Sequence, residues 1–450
     1  MELKNIQRVY FIGIGGIGMS AVARYFMSRG CKVFGYDKTR THLTMALEEE
    51  GVSVTYDDDK GAIPADFLID SNKNLIVYTP AIPKNSEIIR YFRENGLKMR
   101  KRSEVLGIIS KGQFCIAVAG THGKTTTSSI IAHILTDTGY GCTAFLGGIA
   151  TNYNTNFLIG NNDVVVVEAD EYDRSFLTLH PDITVITSMD ADHLDIYGDA
   201  AQLSESFCLF ASQLKAGGAL FVKNGLPIDG ISYSAGGNSP VRGDNIRIEG
   251  SNFLFDYTDH KVNIEGIQLM LPGRHNVENT VAAIAVALEI GIASDKIKRA
   301  ISNFKGVKRR FEYIVKTDQH IYIDDYAHHP KELEACFHAV RQLYPNRKLT
   351  VIFQPHLFSR TKDFADEFAA VLGTVDELML LEVYPARELP LPGIDAQFLL
   401  DKIRLKEKQI FEKEAALKKI QMNKPALLLT VGAGDIDTLI QPLKTLLTDA

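Results

Sequence analysis

The segment Gly120-Thr-His-Gly-Lys-Thr-Thr126 carries the residue types of a phosphate-binding loop. It follows an apolar run and precedes a helical pattern, so backbone amides at a helix N-terminus can surround phosphates. Lys124 would reach the terminal phosphates and the Thr125 hydroxyl would bind Mg²⁺. The first glycine of the usual pattern falls on Val118, so the loop is a shortened form. This order of residues predicts a nucleotide site made of Gly120, Thr121, His122, Gly123, Lys124, Thr125 and Thr126.

Two buried strands are expected to end in side chains that can bind a metal. Residues 164–167 lead into Glu168, and residues 183–187 lead towards His193. Because the carboxyl ends of parallel strands meet at one edge of a sheet, Glu168 and His193 are expected to converge with Thr125 on a divalent cation. Imidazole is a less usual Mg²⁺ ligand than carboxylate. A solvated acidic rim or a helix cap explains three neighbouring carboxylates equally well, namely Asp170, Glu171 and Asp195.

A glycine turn near the start of the chain has the spacing of a diphosphate-binding turn. It follows the apolar residues 9–12, opens a helical pattern, and is followed by Asp37, at the distance where an acidic residue often meets a ribose hydroxyl. The glycines are Gly13, Gly15, Gly16 and Gly18. A nicotinamide dehydrogenase and a protein that binds a UDP-linked substrate are both compatible with this turn.

Polar side chains also follow two predicted strands in the last third of the chain. These are the segments Asp324-Asp-Tyr-Ala-His-His-Pro330 and Gln354-Pro-His-Leu-Phe-Ser-Arg-Thr361. A single histidine in such a place is more often structural than catalytic. Two clusters at equivalent strand ends favour a substrate site.

Two further segments each have a chemical and a structural interpretation. A helix is expected over residues 276–290, so Asn276 is either a binding residue or a helix N-cap, with Asn279 in the first turn. Residues 308–312 are either a charged linker or a segment that brings an arginine to a transferring phosphoryl group.

Alternating apolar and helical segments place these clusters on three α/β domains, over residues 1–112, 113–312 and 313–450. The first and last are expected to be Rossmann-like. The central domain is expected to be a P-loop-type ATPase with a mainly parallel sheet, because its strands are continuous apolar runs. Short alternating strands over residues 216–272 are interpreted as an antiparallel flank of the same sheet.

The composition limits the partners and the location. A chain of 450 residues is long enough for several cores, and its net charge of −6 argues against nucleic acid as a main partner. The five cysteines are widely spaced and lack C-x-x-C pairs, which is typical of reduced thiols in a cytoplasmic protein. The first residues lack a signal-peptide pattern, and no apolar run is long enough to cross a membrane.

Taken in order, these motifs resemble those of the Mur ligases. The likeness runs almost from end to end and rests on Gly13 to Ser20, Gly120 to Thr126, Glu168 to Glu171, Asp192 to Asp195, Gly273 to Asn276, Arg309 to Phe311, Asp324 to Pro330, and Phe353 to His356. The resemblance, which is strongest to the alanine-adding branch, implies an ATP-dependent amide-bond ligase. Such an enzyme joins L-alanine to the lactyl carboxylate of UDP-N-acetylmuramate through an acyl phosphate.

The resemblance also implies roles for particular residues. The first domain would bind the UDP-sugar, the central domain MgATP, and the third domain L-alanine. Glu168 and His193 would hold a second metal ion, with Mn²⁺ as an alternative to Mg²⁺. His275 and Asn279 would contact adenine, and Arg310 the γ-phosphate. The muramyl carboxylate and the alanine would be lined by Tyr326, His328, His356 and Arg360, with His328 as the candidate general base.

Several positions depart from the family pattern. Ser188 stands where many members have Asn, Ala327 replaces a frequent Gly, and Leu357 occupies a place often taken by a basic residue. The last departure puts part of the amino-acid contact in doubt. There is no lysine between Arg174 and Lys215, so the carbamylated lysine of several sister ligases has no counterpart there, as expected of the alanine-adding branch.

Three other functions compete with this interpretation. A recycling ligase of the same family attaches a ready-made tripeptide to the same UDP-sugar and shares most of the motifs. An NAD-dependent dehydrogenase would explain the first glycine turn and leave the Gly-Lys-Thr loop unexplained. A non-catalytic ATP switch would hydrolyse ATP without needing an acid and an amine.

Overall fold

The computed structural model describes residues 3–67, 71–80, 82–83, 85–190, 197, 199–250, 252–386 and 388–448. Its strands form three sheets separated by helices, in the α/β class that the sequence predicts. Within the described residues, no helix combines the length and the apolar character that a membrane crossing requires.

The first sheet has five parallel strands in the order β3-β2-β1-β4-β5. Its strands are β1 (Arg8–Ile12), β2 (Lys32–Tyr36), β3 (Ser53–Thr55), β4 (Asn74–Tyr78) and β5 (Met99–Lys101). The helices of this region are α1 (Ile17–Ser28), α2 (His42–Glu49), α3 (Glu87–Glu94) and α4 (Arg102–Ser110). Short 3-10 helices lie at Leu3–Asn5, Lys60–Ala62, Ala65–Phe67 and Ser71–Lys73.

The second sheet has ten strands in the order β15-β14-β13-β12-β11-β10-β6-β9-β7-β8. They are β6 (Phe114–Ala119), β7 (Thr143–Ala150), β8 (Thr155–Leu158), β9 (Val164–Ala169), β10 (Ile183–Ile186), β11 (Ala219–Lys223), β12 (Ile231–Ala235), β13 (Val241–Glu249), β14 (Asn252–Thr258) and β15 (Asn263–Leu269). The helices are α5 (Lys124–Asp137), α6 (Ala200–Ser212), α7 (Arg274–Glu289) and α8 (Ser294–Asn303), with a 3-10 segment at Tyr172–Thr178.

The third sheet has the order β16-β17-β21-β18-β19-β20, and β16 is an antiparallel edge strand beside β17. Its strands are β16 (Glu312–Lys316), β17 (Ile321–Asp325), β18 (Leu349–Phe353), β19 (Glu377–Leu380), β20 (Lys408–Ile410) and β21 (Leu427–Val431). The helices are α9 (Pro330–Leu343), α10 (Phe358–Asp363), α11 (Ala365–Leu372), α12 (Ala396–Lys402), α13 (Lys413–Met422) and α14 (Ile440–Thr448), with a 3-10 helix at Asp435–Leu439.

The chain divides into two compact units. The first contains Met1–Arg247, Leu254–Leu269 and Asn276–Lys305, and the second contains Ile248–Phe253, Met270–His275 and Gly306–Ala450. In the first unit, one apolar core joins the first two sheets, because Phe11 of β1 and Val105 of α4 belong to the same buried cluster as Phe145 and Val167. The boundaries of the three domains stay a prediction.

The predicted antiparallel flank is wrong at its start, because β10, β11, β12 and β13 pair in parallel. Short connections normally join antiparallel strands, which is why the pattern was misleading. Here the connection between β11 and β12 runs back beside β11: a Cβ on Gly230 would lie 2.9 Å from the carbonyl oxygen of Leu220. An extended chain spans about 3.3 Å per residue, so this connection is long enough to return along a five-residue strand.

The helix expected over residues 276–290 begins earlier, at Arg274. Asn276 is therefore inside the first turn and does not occupy the N-cap position. Its Oδ1 accepts a hydrogen bond of 3.4 Å from the side-chain Nδ2 of Asn279, and both side chains are buried.

Candidate functional site

The predicted phosphate loop lies between β6 and α5. At two of its positions the backbone has a positive φ, which requires glycine. Gly120 has a φ of +141°, and Gly123, the N-cap residue of α5, has a φ of +85°. These are conformations that side chains with a Cβ rarely adopt. Lys124, Thr125 and Thr126 form the start of α5, where the amides of the first turn point away from the helix without intrahelical partners. Such a helix start attracts anions.

Residues that follow β10 hold this loop in place. The hydroxyl of Ser188 lies 3.0 Å from that of Thr121 and accepts a hydrogen bond of 2.6 Å from the amide of His122. Thr187 donates a hydrogen bond to the carbonyl oxygen of His122. The departure at Ser188 therefore has a local function in this chain, which is to fix the loop. His122 also lies near a carboxylate, since its Nε2 is 3.8 Å from Oδ2 of Asp190.

The side chain of Lys124 contacts a carboxylate that follows the adjacent strand β9. Its Nζ lies 2.8 Å and 3.1 Å from the two carboxylate oxygens of Glu171 and also donates to the carbonyl oxygen of Gly120. Burial disfavours the charge on Lys124, but Glu171, Glu168 and Asp170 outweigh that effect and raise the pKa of Lys124 above its usual value. The lysine is therefore charged and directed at the sheet edge where the loop lies.

Thr125 and Glu168, two of the predicted metal ligands, are in contact. The Thr125 hydroxyl donates a hydrogen bond of 3.0 Å to Oε1 of Glu168, and the amide of Gly147 donates one of 2.9 Å to Oε2. Two oxygen ligands beside a phosphate loop fit Mg²⁺, which keeps several waters and prefers oxygen. The third predicted ligand, His193, lies outside the described residues. Within the part of the chain that is described, no group of three or more histidine, cysteine or carboxylate side chains could hold a metal.

Gly147 is a functional residue that the sequence did not reveal. A Cβ at this position would lie 2.2 Å from Oε2 of Glu168, so no other residue fits without moving the carboxylate. Its amide also supplies one of the hydrogen bonds that orient Glu168.

A cavity of about 370 Å³ connects the glycine turn with the Glu168 carboxylate inside the first unit. Gly13, Gly16 and Gly18 line one part of it, and Glu168 and Gly147 line another. The turn therefore opens towards the candidate metal ligand.

Asp37 holds the glycine turn in this structure. Its Oδ2 accepts a hydrogen bond of 2.7 Å from the amide of Gly15, and the amides of Gly13 and Ile14 donate to the carbonyl oxygen of Tyr36. These amides are engaged within the turn. The first amides of α1, from Ile17 onwards, have no intrahelical acceptors, so they can donate hydrogen bonds to a ligand in the cavity. The predicted contact between Asp37 and a ribose remains a prediction.

Arg102, at the start of α4, also lines the cavity. Its Nη2 lies 3.1 Å from Oδ2 of Asp170, and a Cβ on Gly18 would lie 2.7 Å from Nη1. The neighbouring Lys101 forms an ion pair of 2.7 Å with Asp173. The acidic partners of both residues are about seventy positions away in the chain, so the neighbouring sequence gives no sign of these contacts.

Asn279, a predicted adenine contact, lies beside the phosphate loop. A Cβ on Gly123 would be 2.8 Å from its Oδ1. His275, the other predicted adenine contact, belongs to the second unit, where it packs against the backbone of Gly273, whose φ is +99°.

In the second unit, the predicted amino-acid residues form one cluster. The rings of Tyr326 and His328 are 5.2 Å apart, and those of His328 and His356 are 5.8 Å apart. The Nη1 of Arg360 lies 3.4 Å from Nδ1 of His356. Tyr384, which was not predicted from the sequence, stacks on His356 with an interplanar angle of 17°.

The geometry around His328 defines its tautomer. Nδ1 lies 2.9 Å from the carbonyl oxygen of Tyr326, which can only accept, so Nδ1 carries a proton in this contact. In the neutral ring Nε2 is then the basic nitrogen. Nδ1 is also 3.4 Å from Oε2 of Glu332, so a carboxylate lies beside the nitrogen that carries the proton.

Two adjacent arginines at residues 309 and 310 occupy different environments. Arg309 forms an ion pair with Asp324 at 3.1 Å and donates to the carbonyl oxygen of Gly432. Arg310 lies over the Tyr326 ring at 5.1 Å and 3.9 Å from the carboxylate of Glu332. Arg309 thus stabilises the fold, and Arg310 is part of the polar cluster of the second unit.

Comparison with known protein families gives matches over most of the chain. The description "Mur ligase family, catalytic domain" matches residues 8–114, "Mur ligase middle domain" matches residues 118–287, and "Mur ligase, glutamate ligase domain" matches residues 309–434.

Individual relatives agree with these matches. The chain is 49% identical to a UDP-N-acetylmuramate–L-alanine ligase of Flavobacterium psychrophilum over 99% of both chains, and 48% identical to the one of Christiangramia forsetii over 98% of both. The solved UDP-N-acetylmuramate-alanine ligase MurC of Thermotoga maritima superposes with a TM-score of 0.82 at 26% identity, covering 97% of this chain and 98% of that one. A murein peptide ligase of Psychrobacter arcticus shares the fold, with a TM-score of 0.73 at 22% identity over 99% of both chains. The resemblance found in the sequence is confirmed, and the chain belongs to the Mur ligase family.

Proposed function

We propose that this chain joins L-alanine to the lactyl carboxylate of UDP-N-acetylmuramate at the expense of ATP. The observation that carries the proposal is the cavity that connects the glycine turn at Gly13–Gly18 with Glu168, beside the phosphate loop. A substrate with a diphosphate at one end and a carboxylate at the other fits such a cavity. The names of relatives at 48–49% identity support the same reaction. A cytoplasmic location is part of this proposal.

ATP is assigned to the loop from Gly120 to Thr126. The loop supplies helix-start amides and the charged Lys124, which together can neutralise the terminal phosphates. Mg²⁺, when bound, would polarise the transferring phosphoryl group. Thr125 and Glu168 would hold it, and His193 is the further candidate ligand.

The UDP-sugar is assigned to the cavity in the first unit. Its diphosphate would lie at the start of α1, where the helix leaves backbone amides for an anion. Arg102 offers a planar cation to the same region, because it lies against Gly18. The lactyl carboxylate would point towards Glu168 and the phosphate loop.

The mechanism follows from the poor electrophilicity of a carboxylate. A carboxylate oxygen attacks the γ-phosphorus of ATP, which releases ADP and leaves an acyl phosphate. The amine of L-alanine then attacks the acyl carbon, and the tetrahedral intermediate expels inorganic phosphate. Lys124 and Arg310 would stabilise the charge on the transferring phosphoryl group.

L-alanine is assigned to the cluster of Tyr326, His328, His356 and Arg360. The arginine would bind the alanine carboxylate, for which a guanidinium is well suited. His328 is our candidate base, because its tautomer leaves Nε2 as an acceptor for a proton from the ammonium group. Leu357 cannot supply the second cation that many family members have there, so the carboxylate would depend more strongly on Arg360.

The recycling ligase is the second candidate within the family. It is favoured only by the fold it shares with the murein peptide ligase at 22% identity, whereas the alanine-adding relatives are much more similar. Neither a dehydrogenase nor an ATP switch explains the acidic residues Glu168 and Asp170 that line the cavity. Neither explains the cluster of polar and aromatic residues in the second unit.

Phosphate release from MgATP tests the proposal. We expect release only when UDP-N-acetylmuramate and L-alanine are both present, and we expect Lys124→Ala to abolish it. Release that is independent of either co-substrate would contradict the ligase function. Coupling of a stem tripeptide in place of alanine would identify the recycling reaction.

A further inference from the structure

We propose that Glu171 is an internal competitor of the terminal phosphates of ATP, because its carboxylate forms a buried ion pair with the side chain of Lys124. This inference rests on the proposed function, in which Lys124 binds those phosphates. It assigns to Glu171 the role of lowering the affinity for ATP.

The first argument is a count of hydrogen-bond donors. A lysine ammonium has three N–H groups. The Nζ of Lys124 contacts both carboxylate oxygens of Glu171, at 2.8 Å and 3.1 Å, and the carbonyl oxygen of Gly120. These contacts use all the donors, so a phosphate oxygen can bind Lys124 only if it replaces one of them.

The second argument concerns burial. The Lys124 side chain is 13% exposed and the Glu171 side chain 1% exposed, so water screens their attraction weakly. Breaking a charge-assisted contact of this kind opposes nucleotide binding. A carboxylate and a phosphate also repel each other when they share one cation.

The third argument is that the backbone of Glu171 is fixed. Its carbonyl oxygen accepts hydrogen bonds from the hydroxyl of the buried Tyr197 and from the amide of Arg174. Glu171 follows β9, which pairs with β6, the strand that leads into the phosphate loop. The carboxylate is therefore held beside Lys124 by the fold, and only its side-chain torsions can release it.

These features predict a selective effect on affinity. Removing the charge of Glu171 should favour ligands whose phosphates reach Lys124 and leave other ligands unchanged. ATP should therefore respond to a substitution of Glu171, and adenosine monophosphate, which lacks the terminal phosphates, should not.

Calorimetric titration of the full-length protein with ATP and Mg²⁺, without UDP-sugar or amino acid, tests the inference. We expect Glu171→Gln to bind ATP about tenfold more tightly than the wild type, the size of effect that one charged hydrogen bond carries. Asp173→Asn is the matched control, because it removes a charge from the same segment at a residue that contacts Lys101 instead. Asn also tolerates the positive φ of Asp173.

Glu171→Asp separates competition for hydrogen bonds from a general charge effect. It keeps the negative charge and shortens the side chain by one methylene group, so we expect a gain in ATP affinity smaller than that of Glu171→Gln. If Glu171→Gln does not fold, the ATP affinity of Glu171→Asp tests whether Glu171 competes for Lys124. Folded Glu171 variants that bind ATP as the wild type does, or more weakly, would overturn the inference while leaving the proposed function intact. A wild-type protein that does not bind ATP would overturn both.

Discussion

The hydroxyl of Thr125 and the carboxylate of Glu168 are 3.0 Å apart, although 43 positions separate them in the chain. This contact joins the start of α5 to the end of β9 and forms the described part of the candidate metal site. Glu168→Gln keeps the shape and removes the charge that a divalent cation requires. We expect at least a tenfold higher Mg²⁺ concentration for half-maximal activity, about the loss that follows removal of a metal-supporting group.

Titration of phosphate release with Mg²⁺ measures this change. The control is Glu289→Gln, an exposed carboxylate at the end of α7. An unchanged Mg²⁺ requirement in Glu168→Gln would show that Glu168 does not bind the metal.

Gly147→Ala tests the same site without changing any charge. The new Cβ would lie 2.2 Å from Oε2 of Glu168, so the carboxylate must turn away from Thr125. We expect the Mg²⁺ requirement to rise and kcat to fall by about a hundredfold, as expected for a displaced catalytic group. Gly61→Ala is the control, because its Cβ would come no closer than 3.3 Å to a side-chain atom of Asp59. Wild-type kinetics of Gly147→Ala would contradict the described position of Glu168.

The contrast between Thr125 and Gly147 explains what could be predicted from the sequence. Lys124, Thr125 and the glycines of the loop form one local motif, in which each role follows from position within a strand, turn and helix. Gly147 and Arg102 act through partners that are distant in the chain, and their own neighbours give no sign of this. The three sheets were predictable from apolar runs. The direction of β12 was not, because an extended connection of ordinary length can return along a short strand.

Arg102→Gln tests the assignment of the UDP-sugar. The guanidinium lies against the first turn of α1 and lines the cavity, so its loss should weaken binding of the diphosphate. We expect the KM for the UDP-sugar to rise about tenfold with the KM for ATP unchanged, since one charged hydrogen bond is removed. Arg90→Gln, on an exposed part of α3, is the control. A higher KM for ATP, with an unchanged KM for the UDP-sugar, would contradict the assignment of Arg102 to the UDP-sugar site.

His133 should make stability depend on pH. Its Nε2 donates to the carbonyl oxygen of Ala300, and its Nδ1 accepts from the hydroxyl of Tyr153, both at 2.9 Å. Burial lowers the pKa of His133 below its usual 6.5, against smaller raising effects of Ala300 and Asp137. Above pH 6.5 the imidazole is neutral in both the folded and the unfolded chain, and its full contribution to stability is present. Below that pH the unfolded chain binds a proton that the folded chain resists, so the free energy of unfolding decreases as the pH is lowered.

Thermal unfolding of the wild type and of His133→Gln between about pH 7.5 and about pH 5.5 checks this expectation. The variant should have a lower Tm at the higher pH and a smaller decrease in Tm on acidification. His260→Gln, at an exposed histidine, should retain the wild-type dependence. Parallel curves for the wild type and His133→Gln would show that His133 does not contribute to the acid sensitivity.

The most direct test of the central claim follows one oxygen atom through the reaction. UDP-N-acetylmuramate labelled with heavy oxygen in its lactyl carboxylate is incubated with MgATP and L-alanine, and the products are analysed by mass spectrometry. An acyl phosphate transfers one carboxylate oxygen to inorganic phosphate when the amine displaces it. We therefore predict labelled phosphate in an amount equal to the alanylated UDP-sugar. Unlabelled phosphate, or phosphate without an alanylated product, would contradict the proposed ligase reaction.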